Sequence, residues 1–129
     1  DIACQLADKL GREGVPAEDI YFDVLVQPIS VNEAFGKAAI DAVKGIREQI
    51  PGAHTTCGLS NVSFGLPERK LLNSVFAVAL MNAGMDTLII DPLDRRIMSA
   101  ILAAQAVMGQ DEFCDGYLTA FRRGALKVA

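Results

Sequence analysis

Short apolar runs alternate with helix-like stretches along this chain, and that alternation constrains its fold more than any other feature. Ile2, Leu6 and Leu10 fall four apart, on one face of a helix that stops near Gly11 or Gly14. Ile20 to Val26 is apolar, β-branched and aromatic, broken only by Asp23 and ended by Pro28; the pattern predicts a buried strand. Ser30 and Glu33 stand at capping-box spacing, so Ala34 to Ile50 reads as a helix. Pro51-Gly52 breaks it, and His54 to Leu59 reads as a second strand. Pro67 suits the first turn of a helix that reaches Asn82, with Gly84 just past its end. Thr87 to Ile90 predicts a third strand, and Asp91-Pro92 a cap for a helix through Met108. A last helical segment covers Asp111 to Ala125.

The order α-β-α-β-α-β-α-α predicts an α/β fold whose parallel strands are joined by right-handed crossovers. Strands this apolar need cover on both faces, and a chain 51% hydrophobic and 22% charged can supply it. Three strands cannot close a barrel. A helix feeding the first strand makes the chain read as a piece of a larger β/α repeat. The expectation is one partial domain over residues 1–129, the C-terminal part of a barrel or of an open sheet.

Composition excludes several function classes. The net charge is −4, nothing basic is concentrated anywhere, and Arg95-Arg96 and Arg122-Arg123 are isolated pairs, a poor footprint for nucleic acid. No apolar run approaches the ~20 residues of a membrane helix, and no signal-peptide pattern opens the chain. The three cysteines, Cys4, Cys57 and Cys114, are far apart and form no Cys-x-x-Cys. They suggest a reduced, cytoplasmic protein. With one histidine, a protein-bound zinc or iron centre is not expected.

The candidate site is the run Gly58 to Gly65, which puts Ser60 and Asn61 at the carboxyl end of the second strand, where α/β proteins bind ligands. Asn61 reads equally as a turn residue or as a ligand contact, since an amide both donates and accepts. Asp23 is costly to bury without a partner. It reads either as a cap on a neighbouring loop or as an acid gripping an amino group beside a ring N–H. Arg69 and Lys70 open the next helix, where cations oppose the dipole; they are a solvated pair or a hint of an anionic partner. His54 begins a strand, far from its carboxyl end, and reads as structural. Met81, Met85, Met98 and Met108 read as core fillers.

Tyr21-Phe22-Asp23-Val24-Leu25-Val26-Gln27-Pro28, Gly58-Leu59-Ser60-Asn61-Val62-Ser63 and Gly84-Met85-Asp86 together resemble the pterin-binding methyltransferases. These include the methyltetrahydrofolate:corrinoid methyltransferases and the folate domain of cobalamin-dependent methionine synthase. Cys114-Asp115 is also similar to that family. The resemblance implies a TIM (β/α)8 barrel, of which this chain supplies about three βα units, the sixth to eighth strands with their helices. It implies 5-methyltetrahydrofolate as methyl donor and a corrinoid protein, carrying its own cobalamin, as acceptor. A homodimer is the expectation for the complete protein. By the same resemblance Asp23 binds the pterin, Asn61 meets the methyl-bearing nitrogen, Gly58 and Ser60 shape the pterin wall, and Arg69 matches an arginine beside the site. The family's other pterin-binding Asp and Asn belong to earlier strands, so this chain carries half a pocket. Two rival readings stand beside it. One is dihydropteroate synthase, which shares the barrel but needs late-strand basic residues where this chain has Ile89-Ile90-Asp91-Pro92. The other is a non-catalytic barrel fragment acting as an assembly module.

Overall fold

A computed structural model describes residues 1–127. Helix α1 (Ile2–Arg12) opens under Asp1, whose Oδ1 accepts from the backbone N–H of Ala3 at 2.8 Å. Strand β1 (Tyr21–Asp23), helix α2 (Phe35–Gln49) and strand β2 (His54–Thr56) follow. A 3-10 turn over Leu59–Ser63 leads into α3 (Arg69–Ala83). Helix α4 (Arg95–Val107) and the short α5 (Asp115–Arg122) complete the chain.

The two strands pair in parallel with Tyr21, Phe22 and Asp23 opposite His54, Thr55 and Thr56, so the α/β expectation with parallel strands holds. The first strand is shorter than expected. Leu25 sits at φ 56, in the left-handed region that an L-residue with a side chain avoids, and the chain turns out of the ladder there. The third strand is reduced further. Between Thr87 and Ile90 a single parallel bridge joins Ile89 to Gly58, so two strands and one bridge stand where three strands were expected.

Two predicted caps are also corrected. The Ser30 hydroxyl donates to the Phe64 carbonyl at 2.7 Å, across 34 residues, and does not cap α2. No side chain caps α2 at Ala34; Asn32 braces the turn before it, its Oδ1 accepting from the Ala34 N–H at 2.9 Å. Asp91 accepts only from the N–H of Leu93, a tight local turn, while Asp94 caps α4 by accepting from Arg96 and Ile97. The last segment breaks at Phe113 and Cys114, both at φ 56, so α5 starts at Asp115. The Asp111 carboxylate holds its first turn through the N–H groups of Gly116 and Tyr117, each at 2.9 Å.

The main core packs α2, α3 and α4 against the carboxyl end of β2. Val43, Cys57, Leu59, Ala77 and Leu80 are all but sealed from solvent there. A second, smaller core of Ile20, Phe22 and Ile50 lies under α1. Helix α3 ends on Gly84 at φ 118, whose N–H bonds the carbonyls of Leu80 and Met81. A Cβ at Gly84 would displace the flexible end of Arg47, 2.5 Å away at Cδ, but it is the left-handed backbone that requires glycine. No helix among the described residues is long and apolar enough to cross a membrane.

Candidate functional site

The site is built where the chain leaves β2. Leu59 and Val62 are buried, 1% and 2% exposed, and anchor the 3-10 turn from below. The residues between them, Ser60 and Asn61, are therefore turned outward. Gly58 precedes them at φ −78, with nothing within 4 Å of the position a Cβ would take. Neither backbone strain nor protein packing demands glycine there. A close approach by a ligand would.

Two bonds tie this turn to the loop after β1. The Asn61 side-chain amide donates from Nδ2 to the Val26 carbonyl at 2.7 Å, and the Ile29 N–H donates to the Val62 carbonyl at 3.0 Å. One Nδ2 proton and Oδ1 of Asn61 remain for another partner. Asp23 ends β1 level with Thr56. Its Oδ1 accepts from the Leu25 N–H at 2.8 Å, the bond that the left-handed turn at Leu25 makes possible. Both readings of Asp23 thus have a physical basis: one oxygen braces the loop, the other is free to accept. Burial pushes the Cys57 thiol up to about 12, and the nearby Asp23 charge adds to the shift. Cys57 is a neutral core side chain, its Sγ 3.7 Å from Met85 Sδ.

Arg69 closes the turn from the other side. Its Nη2 donates to the Ser60 carbonyl at 2.7 Å and its Nε to Ser63 Oγ at 3.0 Å, and its guanidinium lies 5.9 Å from the Phe64 ring centre. Ser63 in turn donates to Asn73 Oδ1 at 2.7 Å. Gly58, Ser60, Asn61 and Arg69 line one cleft of about 450 Å³, with Asp91 and Asp94 at its edge. Asp23 lies outside that cleft, beyond the Asn61–Val26 bond. Ser63 and Asn73 were not singled out from the sequence. The available signal was Asn73 itself, a polar residue four positions after Arg69 on the buried face of α3.

A larger cavity of about 640 Å³ opens at the other end of β2, beside His54, Arg47 and Asp86. It shares Ile90 with the candidate cleft but none of Gly58, Ser60, Asn61 or Arg69, and its histidine has a structural job. His54 Nδ1 is 2.5 Å from Asp86 Oδ2 and Nε2 is 2.9 Å from the Glu18 carbonyl, while the ring stacks on Tyr21 at 4.4 Å. Both ring nitrogens face acceptors, so the pair is complete only with the imidazolium. The Asp86 hydrogen bond accordingly raises the His54 pKa above its ordinary 6.5, against an opposing effect of burial. A raised pKa means that the stabilisation is full below pH 6.5 and fades as pH climbs through the folded-state value. Urea midpoints should therefore fall between pH 6 and pH 8 in the wild type and change less in Asp86→Asn. Equal pH dependence in both would remove His54–Asp86 as the cause. Among the described residues, no group of three or more His, Cys, Asp and Glu side chains is placed to hold a metal ion.

Comparison with known proteins identifies the family. Residues 4–91 match the family described as "Pterin binding enzyme". The methylcorrinoid:tetrahydrofolate methyltransferase of Eubacterium limosum is 37% identical over 127 residues, 98% of this chain and 46% of that protein. Methionine synthase of Mycobacterium tuberculosis (strain ATCC 25618 / H37Rv) is 36% identical over 89 residues, 64% of this chain and 8% of that protein. Methionine synthase of Mycobacterium leprae (strain TN) is 37% identical over 83 residues, 60% of this chain and 7% of that protein. This chain thus spans less than half the length of the curated relatives it matches. The matched span includes Asp23 and the whole run from Gly58 to Arg69, so the resemblance read from those residues is borne out, and the chain belongs to the pterin binding enzyme family.

Proposed function

We propose that this chain supplies the carboxyl-terminal part of a pterin-binding barrel that moves a methyl group between tetrahydrofolate and the cobalt of a corrinoid on a partner protein. The observation that carries the reading is the Gly58–Asn61 turn. It presents a glycine that nothing among the described residues requires, beside an amide with an uncommitted N–H and carbonyl oxygen. Gly58 and Ser60 form the pterin wall, and Asn61 faces the methyl-bearing nitrogen. Asp23 grips the ring through its free carboxylate oxygen. Arg69 holds the wall in shape through Ser60.

Toward cobalt, the carbon–nitrogen bond breaks and its electron pair stays on the amine nitrogen, which gains a proton from solvent or a bound group. The corrinoid supplies the nucleophile. Asn61 follows the nitrogen through this change, because its amide can donate to a lone pair or accept from an N–H. Stabilisation that grows at the transition state raises the rate rather than mere affinity. The Eubacterium limosum relative is named for transfer onto tetrahydrofolate, the reverse of the direction that the resemblance implies. Both directions share one transition state, so the roles of the residues do not change. A homodimer and a reduced, cytoplasmic setting, which suits three unpaired thiols, complete the proposal.

A dihydropteroate synthase reading is weaker, because Asp91 and Asp94 line the cleft and Arg69 is engaged on Ser60 and Ser63. A pyrophosphate would meet carboxylates there. An assembly module alone would need no free amide at a strand's carboxyl end. The outer edge of β1 has no partner strand among the described residues, which suits further barrel strands beside it. Calorimetric titration of the complete protein with methyltetrahydrofolate should give saturable heat. No heat at millimolar ligand would remove the proposed function.

A further inference from the structure

We infer that Ser63 and Asn73 are positioning residues for Asn61, acting as a buried relay behind the substrate wall. The inference rests on the proposed function and extends it to Ser63, which lies outside the cleft's lining, and to Asn73, which borders the cleft. Ser63 is fully buried and Asn73 is 9% exposed. Polar groups in such places must be paired, or their desolvation is uncompensated. Here the pairing has a direction. Ser63 Oγ accepts from Arg69 Nε at 3.0 Å, which commits its single proton outward. Two acceptors compete for that proton: Asn73 Oδ1 at 2.7 Å and the Ser60 carbonyl at 3.1 Å. The shorter bond to Asn73 takes it. The Ser60 carbonyl is thereby left to Arg69 Nη2, at 2.7 Å.

The relay therefore fixes one backbone carbonyl, that of Ser60, and the next residue along the chain is Asn61. Without Asn73 the Ser63 proton turns to the Ser60 carbonyl, whose second lone pair accepts it beside Arg69, and the bond that ties Ser63 to α3 is lost. Without Ser63, Arg69 Nε loses its acceptor and the guanidinium is free to rotate away from the turn. In either case the turn that carries Asn61 loses the Ser63–Asn73 tie to α3. Misplacing a catalytic group by about 1 Å can cost roughly a hundredfold in rate. Ser63 is sealed from the cleft and Asn73 borders it at only 9% exposure, so ground-state pterin binding is less sensitive than the rate.

The test uses Ser63→Ala, Asn73→Leu and the double variant in the complete protein, with kcat, KM for methyltetrahydrofolate and the melting temperature read separately. Each single variant should lower kcat about tenfold or more with KM changed less than about threefold. The double variant should be no slower than the worse single one, because both break the same relay. Additive losses in the double variant, or an unchanged kcat per folded molecule with only a lower melting temperature, would overturn the inference. Absence of methyl transfer in the wild type would instead overturn the proposed function, which keeps the two failures apart.

Discussion

Replacing Asn61 with alanine is expected to slow methyl transfer by about 10²–10³-fold while weakening pterin affinity by no more than about tenfold. The asymmetry follows from where the amide acts. A hydrogen bond that forms at the departing nitrogen only as the methyl leaves contributes to the barrier and not to the bound ground state. A rate loss of that size corresponds to about 3–4 kcal/mol, more than the roughly 1 kcal/mol net of an ordinary hydrogen bond. A confounding effect has to be separated out. The same substitution deletes the bond from Asn61 to the Val26 carbonyl, so the loops after the two strands lose a tie. Ser30→Ala supplies the control, because it removes another tie between those loops, the hydrogen bond from Ser30 to the Phe64 carbonyl. It should leave the rate within a few-fold of wild type. Equal losses in Asn61→Ala and Ser30→Ala would reduce Asn61 to a loop fastener. Steady-state kinetics with pterin affinity measured separately by calorimetry would decide it.

The candidate site was legible because most of it is local. Gly58, Ser60, Asn61 and Arg69 lie within twelve consecutive positions, after an apolar run and before a helix, and the structure gathers them on one cleft. Asp23 was legible as an acid at a strand end, but its bond to the Leu25 N–H was not. That bond depends on a left-handed Leu25, a conformation that no propensity favours for leucine. The same residue is why β1 is short. An apolar run is equally compatible with a strand and with a buried bend, and Val26 returns to the core past the turn without rejoining the ladder.

What the sequence left hidden depends on residues far apart in the chain. Ser30 and Glu33 had the spacing of a capping box, yet the Ser30 hydroxyl found a carbonyl 34 residues away. Asp91 was the expected cap, but its carboxylate is taken by the Leu93 N–H and Asp94 caps the helix. The Thr87–Ile90 segment has strand composition but meets β2 through Ile89 alone. Asp86 lies only two residues past Gly84, but its role depends on His54, 32 positions earlier. The helices were easier, since an apolar stripe buried against neighbours recurs every three to four residues whatever the tertiary detail.

Leu80→Ala should destabilise the fold by about 2–5 kcal/mol, the largest stability loss expected from a single truncation here. Leu80 is wholly buried on α3, which packs against both α2 and α4, so the lost methyl groups have no solvent-facing side to relax toward. The cost combines lost apolar transfer with an unfilled cavity. Against a net stability of about 5–15 kcal/mol for a typical domain, it consumes a large fraction. The effect has a route to the site. The Leu80 carbonyl accepts from the N–H of Gly84 and of Met85, and Met85 lies against Cys57 at the base of the Gly58 turn. Loosening α3 at Leu80 therefore loosens the floor on which Asn61 stands. Val75, on the same helix but 62% exposed, is the contrast: Val75→Ala should stay within about 0.5 kcal/mol. Urea unfolding of the three proteins would read both values. A loss below 1 kcal/mol for Leu80→Ala would mean that α3 is not clamped between its neighbours, and would weaken its role as the rigid support of Arg69 and Asn73.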